Sequence, residues 1–247
     1  MTVRKYLSFF AALLCLQVQP LSAQDKPHAS IECDFVSHYM WRGQDKGNVS
    51  IQPKLGLQWK GLRLGIEGSG GFSNDDYEEL DIILNYTWKG LTVGLLDEWG
   101  EDWVESRYFE YGSETTHQFS LHLGYDLGFA SIDAYTIFAG ADHKMDNSRA
   151  YSTYIEFGVP FRFGTLDWKA AFGLTPYRSG GVKTQPRDMD EFFEYSYADC
   201  FAINMVSLRA TKVFDIVNFT LPAFVEFHGN PWNKHANIVL GISLFIL

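Results

Sequence analysis

The sequence predicts an all-β protein, an antiparallel up-and-down transmembrane β-barrel of about 12 strands. Three observations carry this: hydrophobicity alternates at period two along most of the chain, short and long connections alternate between the strand-like segments, and the N-terminus has the layout of a secretory leader. Composition agrees, with 16 % aromatic residues, 22 glycines and only 20 % charged residues among 247.

The leader comes first. Arg4 and Lys5 precede an apolar run from Tyr6 to Leu16, followed by Pro20 and a Leu-Ser-Ala ending at Ala23. This is a signal peptide over residues 1–23, too short to span a bilayer as a stable helix, and residues 24–247 form the single barrel domain. Losing Arg4 and Lys5 takes the net charge from −10 to about −12, which excludes nucleic-acid binding by any charge argument. No later segment has 18 consecutive apolar residues, so helical membrane spans are excluded. Cys33 and Cys200 remain and read as small packing residues, not as a disulfide.

Twelve strands are expected, beginning near residues 30, 50, 62, 79, 91, 116, 129, 150, 166, 200, 218 and 236. Each carries one apolar face: Leu80, Ile82, Leu84, Tyr86 and Trp88 in one, Phe119, Leu121, Leu123 and Tyr125 in another, and Ile238, Leu240, Ile242 and Leu244 near the end. Successive side chains of a strand point to opposite faces, so the intervening positions form a second face that is polar or glycine. Five connections are tight: Lys60-Gly61, Lys89-Gly90, Asp126 to Gly128, Gly164-Thr165 and Asp215 to Val217. The two Trp-Lys-Gly-Leu segments, 59–62 and 88–91, are two such turns, 29 residues apart. Six connections are longer and polar, over residues 43–49, 73–78, 100–115, 142–149, 178–199 and 229–235. An up-and-down sheet then has tight turns at one end and loops at the other, and six loops with five turns put both termini at the turn end, which is the periplasmic end of an outer-membrane barrel.

Period two does not say which face is inside. Aromatics at the turn ends of the apolar rows (Trp59, Trp88, Tyr125, Phe163, Trp168), the glycine-rich opposite face and the width of a 12-stranded barrel favour an apolar exterior. The lumen face then carries Asp34, Lys54 and Gln58 on the first two strands, and Arg63, Glu67, Asp81 and Asn85 on the next two. Glu98, Asp133, Glu156 and Arg162 follow, then Asp167, Lys169, Glu226 and His228, with Arg42 at the end of the first strand. Pro160 and Pro222 fall on this face, where a bulge absorbs a missing ladder bond.

Residues 36–65, VSHYMWRGQDKGNVSIQPKLGLQWKGLRLG, resemble the opening of a family of outer-membrane β-barrel porins of Gram-negative bacteria, most of all its Bacteroidetes-type members. The likeness rests on Tyr39, Trp41, Arg42, Gly43, Gln52-Pro53 and Trp59 to Leu62, with further matches at FAGAD (138–142), RAYSTYIE (149–156), LDWKAAFG (166–173) and TPY (175–177). The resemblance implies an outer-membrane barrel whose first strand ends in aromatic-Arg-Gly. It supplies no catalytic residue and no cofactor.

The expected function is passive diffusion of small solutes with a cation preference, from the excess of acids on the lumen face. The expected partners are outer-membrane lipid and lipopolysaccharide, the barrel-assembly machinery and small solutes. The long loops are acidic, at Asp75, Asp76, Glu78 and Glu79, at Glu101, Asp102, Glu105, Glu110 and Glu114, and at Asp188, Asp190, Glu191, Glu194 and Asp199. A second reading is therefore a plugged or ligand-binding barrel that uses these acidic, aromatic loops. A third is an outer-membrane hydrolase built on Asp75-Asp76 and Asp142-His143, against which stand the absence of a G-x-S-x-G segment and the opposite faces assigned to His117 and His122.

Overall fold

A computed structural model describes residues 26–72, 76–100, 108–112, 115–184, 192–217 and 219–245, with side chains left out over 182–184 and 192–195. Residues 1–25, Ile246 and Leu247, and most of the acidic loop residues lie outside these. Sixteen strands are formed among the described residues. They are β1 (His28–Val36), β2 (Tyr39–Trp41), β3 (Gln44–Gly47), β4 (Ser50–Trp59), β5 (Leu62–Gly71), β6 (Glu79–Trp88), β7 (Leu91–Gly100) and β8 (Gln118–Asp126). Then follow β9 (Ser131–Gly140), β10 (Thr153–Phe163), β11 (Leu166–Thr175), β12 (Gly181–Thr184), β13 (Phe192–Tyr195), β14 (Ala202–Ile216), β15 (Phe219–Asn230) and β16 (His235–Phe245). Twelve of them close an antiparallel barrel in which every barrel strand pairs with its neighbour along the chain and β1 meets β16. The other four form two small hairpins, β2–β3 and β12–β13, within the first and fifth loops.

Closure removes the free edges that would leave backbone donors and acceptors unpaired in an apolar medium. The outside carries the apolar rows: Leu55, Leu57, Leu62, Leu64, Leu84, Leu95, Leu121, Leu123, Phe161, Leu208, Val225 and Leu240 are all exposed. A water-soluble barrel would bury these side chains, and here they face out around the whole circumference.

The turns follow from their residues. Lys60-Gly61 and Lys89-Gly90 have positive φ at both positions, 48° and 85°, then 51° and 83°. That pairing is the two-residue reversal whose twist matches the flanking strands, and glycine takes the second position without a Cβ clash. The lysine folds back so that its Nζ lies over the preceding indole, 5.1 Å from the Trp59 centroid and 4.9 Å for Trp88. Pro160 and Pro222 pair in register with Lys169 and Val213, on the inner face, without a shift.

Three expectations are corrected. The first strand stops at Val36, because residues 37–49 turn inward as a separate hairpin and do not continue the wall. The last loop is short, only the four residues between Asn230 and His235, because Asn230 Oδ1 accepts from Trp232 N (3.0 Å) and Asn233 N (3.2 Å) and closes the reversal. Both cysteines are free, and Cys200 is exposed on the fifth loop, so it is no packing residue.

Gly61→Val places a β-branched residue at φ +85° with its Cβ 2.4 Å from the Thr87 carbonyl oxygen. It is expected to lower the unfolding free energy by about 1–3 kcal/mol, read by urea titration of the refolded barrel.

Candidate functional site

The lumen is organised by the β2–β3 hairpin. Its turn is Arg42-Gly43, with φ values of 46° and 87°, the same reversal as Lys60-Gly61 and Lys89-Gly90, and again with tryptophan before it. Trp-basic-Gly therefore occurs three times in the chain. Two copies make tight wall turns, and the third makes an inward finger. Glycine is required at position 43 twice over: its φ is positive, and a Cβ there would lie 1.9 Å from the Asn204 carbonyl oxygen on β14. The tip is pinned to the end of β15 by Asn230 Nδ2 donating to Gly43 O (2.8 Å) and to the fifth loop by Gln44 Nε2 donating to Ser196 O (2.6 Å). Lower down, Asn237 Nδ2 donates to Asp45 (3.1 Å), His38 contacts Asp45 (3.0 Å) and Tyr39 Oη donates to Glu79 (2.5 Å).

Arg42 at the tip is held on all sides. Its Nη2 is 2.9 Å from Glu98 Oε1, with side chains only 10 % and 8 % exposed; the approach is oblique, so charge and not a linear hydrogen bond makes this contact. Ser120 Oγ donates to the other Glu98 oxygen (2.5 Å) and fixes the carboxylate. Nη1 donates to Tyr197 Oη (3.0 Å). The guanidinium carbon lies 3.9 Å from the Tyr135 ring centroid, 4.3 Å from Trp41 and 6.0 Å from Tyr154, within range of cation–π attraction. Burial opposes the charge, but Glu98 and the tyrosine oxygens outweigh it, so Arg42 is held above its ordinary pKa. Burial is also what pushes the Tyr197 phenol up to about 12, against the pull of Arg42.

Each wall of this cage has its own support. Asp133 bonds His122 (2.9 Å), and the His122 ring stacks on Tyr135 at 4.4 Å and 5°, so a chain of contacts from β8 and β9 presents the Tyr135 face. The Tyr154 ring lies across Gly173, where a Cβ would sit 2.1 Å from its Oη; this is one reason the inner face is rich in glycine. Tyr197 belongs to the fifth loop and is placed by Ser179, whose Oγ accepts from Tyr197 N and Ala198 N (3.1 Å each) and donates to Ala198 O (2.8 Å). That loop is clipped to the fourth by Asp142, which accepts from Ser152 N (3.0 Å) and Ser152 Oγ (2.5 Å), while Ser152 Oγ accepts from Gly180 N (2.6 Å).

The remaining residues of the lumen face form ion pairs within a strand or between neighbouring strands: Lys54–Asp34 (2.8 Å), Arg63–Glu67 (2.7 Å), Lys169–Glu156 (3.4 Å), Arg209–Glu226 (2.7 Å) and Arg162–Asp167 (3.8 Å). Gln58 faces His28 across the β1–β4 pair, and Asn85 faces Arg63. The wall of β6 and β7 is different. Glu79, Asp81 and Glu98 gather there, Asp81 opposite Glu98 in register, and the buried Asp81 Oδ1 has no hydrogen-bond partner. Arg42 supplies positive charge to this wall. Beside the hairpin, against β10, β11, β14 and β15, a cavity of about 240 Å³ remains, lined by Lys169, Met205, Arg209, Phe224, Glu226 and His228 among others.

Arg42 thus lies within the barrel, but on the finger and not on the wall. Glu79, read as a loop acid, faces the lumen from β6. Sequence reasoning missed Tyr135, Tyr154 and Tyr197, which alternation marks only as inward or loop aromatics, and Arg209, whose pairing with Glu226 needs the β14–β15 register. The third Trp-basic-Gly was the available signal for the finger. The hydrolase candidates do not converge: the Asp142 carboxylate is taken by Ser152, Asp76 accepts from Phe72 N (2.9 Å), and Asp75 lies outside the described residues. His117 lies on the outer side of β8's rim, fully buried beneath Tyr108 and Tyr111, between Asp97 (2.6 Å) and the Tyr108 carbonyl (2.6 Å) and on the face opposite His122, and no metal-ligating group occurs among the described residues. Glu110 accepts from Gly112 N (2.8 Å) and Asp199 from Trp232 Nε1 (3.0 Å).

No family model and no curated protein matches the chain. Two solved structures are similar to it at 8 % identity. One comes from work on the in-meso crystallization of membrane proteins, with TM-score 0.44 over 88 % of this chain and 83 % of its own. The other is a Salmonella typhi OmpF complex with daunomycin, with TM-score 0.35 over 90 % and 97 %. The barrel architecture rests on the strand pairing itself.

Arg42→Ala leaves Glu98 buried without its cation and is expected to cost about 3–5 kcal/mol of unfolding free energy. Glu98→Ala is expected to cost a similar amount, and the double variant less than the sum, in urea titrations of the three refolded proteins.

Proposed function

We propose that this protein is an outer-membrane diffusion channel for small solutes, with a preference for cations and a lumen narrowed by its own first loop. The observation that carries the reading is the inversion of the barrel: an apolar exterior around the full circumference and an interior lined by charged side chains. A bilayer accommodates the first, and a water-filled interior accommodates the second. The turn end, with Trp59 and Trp88 exposed beside it, is the periplasmic end in this reading, and both termini lie there. Outer-membrane lipid and lipopolysaccharide then surround the apolar band, and the barrel-assembly machinery inserts it. The likeness of residues 36–65 to Bacteroidetes-type porins agrees with this.

Cation preference follows from the lumen charges. Glu79, Asp81 and Glu98 share one wall, while the lumen-facing Lys54, Arg63, Lys169 and Arg209 of the barrel strands are paired with acids elsewhere. A permeating cation gains from this wall whatever Arg42 has not already neutralised.

The inward finger favours a second reading, a plugged barrel that conducts nothing. Planar-bilayer recording separates the two. A channel gives small, discrete current steps in KCl, a reversal potential of cationic sign across a salt gradient, and a severalfold larger step for Arg42→Ala. Silence from both proteins, with each barrel shown to be folded by its faster migration before boiling, leaves the plugged barrel.

A further inference from the structure

The site that holds Arg42 is built by the barrel and the fifth loop, not by the finger that carries the arginine. Glu98 comes from β7, the Ser120 that fixes it from β8, Tyr135 from β9, Tyr154 from β10 and Tyr197 from the loop; only Trp41 travels with Arg42. Each wall component suits a planar, delocalised cation. An aromatic face at 3.9 Å accepts the flat side of a guanidinium, the Glu98 carboxylate meets one terminal nitrogen, and a phenol oxygen accepts from the other. An ammonium ion is a compact point charge with no flat, delocalised face to lay against Tyr135. Beside Glu98, the buried Asp81 has a carboxyl oxygen, Oδ1, with no hydrogen-bond partner, an acceptor at the edge of the cage that Arg42 does not use.

The tip's other anchors are of a different kind. Asn230 to Gly43 O and Gln44 to Ser196 O are hydrogen bonds between neutral groups, which water replaces at small net cost once the tip moves, while Tyr39–Glu79 and Asn237–Asp45 hold the base of the hairpin. The charged contact at Arg42 is the one that a solute can take over in kind.

We propose that this cage is a recognition site for guanidinium-bearing cations in the lumen, and that Arg42 is its resident, intramolecular occupant. An arginine-like solute displaces the finger tip by making the same contacts with Glu98, Tyr135 and Tyr197. The inference deepens the channel reading, since the lumen is the route by which such a solute arrives.

The test uses methylguanidinium chloride and the refolded full-length mature barrel at constant ionic strength. In Arg42→Ala the cage is vacant, and calorimetric titration is expected to show saturable binding with Kd on the order of millimolar. Adding Glu98→Gln to that variant is expected to weaken binding roughly tenfold or more, and methylammonium is expected to bind more weakly than methylguanidinium. Arg42→Met, which keeps the apolar stem, serves if the alanine variant does not fold. Absence of saturable binding, or equal affinity with and without Glu98, or equal affinity for methylammonium, overturns the proposal. In bilayers the same salt is expected to raise the wild-type KCl current by displacing the finger and to lower the Arg42→Ala current by occupying the cage. Calorimetric binding with no current from either protein retains the cage and overturns the channel reading instead.

Discussion

The architecture turns on one buried charge pair. Arg42 and Glu98 meet at 2.9 Å inside the loop end of the barrel, with the guanidinium faced by tyrosines and a tryptophan. A buried pair of this kind contributes little net stability compared with an apolar filling, but removing one partner is expensive. Its effect is therefore to specify position. With Glu98 fixed by Ser120, Tyr135 by His122 and Tyr197 by Ser179, only one placement of the first loop satisfies the arginine, and that placement is inward.

Many other features follow from that requirement. Asp142 clips the fourth loop to the fifth so that Tyr197 stands over the mouth, and Gly173 leaves room for Tyr154. Gly43 lets the finger's backbone touch β14, and Asn230 closes the last loop while bonding the finger tip. The loop end of the barrel is in this sense one connected assembly around Arg42. The turn end, with its short reversals and outward aromatics, is built on local rules alone.

That difference explains what the sequence made legible. Period-two alternation and Gly-containing turns are local, and they placed the starts of all twelve barrel strands to within a few residues and sorted the apolar from the polar face. Closure and the pairing of β1 with β16 followed from counting. The finger was not legible in the same way, because Tyr39-Met40-Trp41 continues the look of a strand, and nothing local distinguishes a wall hairpin from one that folds inward. The cage drew on five separate strands and loops, and its tyrosines looked like any other aromatics until register brought them together. The one local trace of the finger is the Trp-basic-Gly spelling at Trp41-Arg42-Gly43, which reads in the sequence as the end of the first strand and in the structure is a third reversal.

Residues 39–47 rest inside the lumen and are held there through Arg42, and amide hydrogen exchange of the protein reconstituted in lipid tests this most directly. The backbone amides of Trp41, Gln44 and their hairpin neighbours are expected to exchange far more slowly than those of the exposed segment 144–148, and Arg42→Ala is expected to accelerate the hairpin while β4 to β10 stay protected. Hairpin amides that exchange at the rate of the exposed loop in the wild-type protein would contradict it.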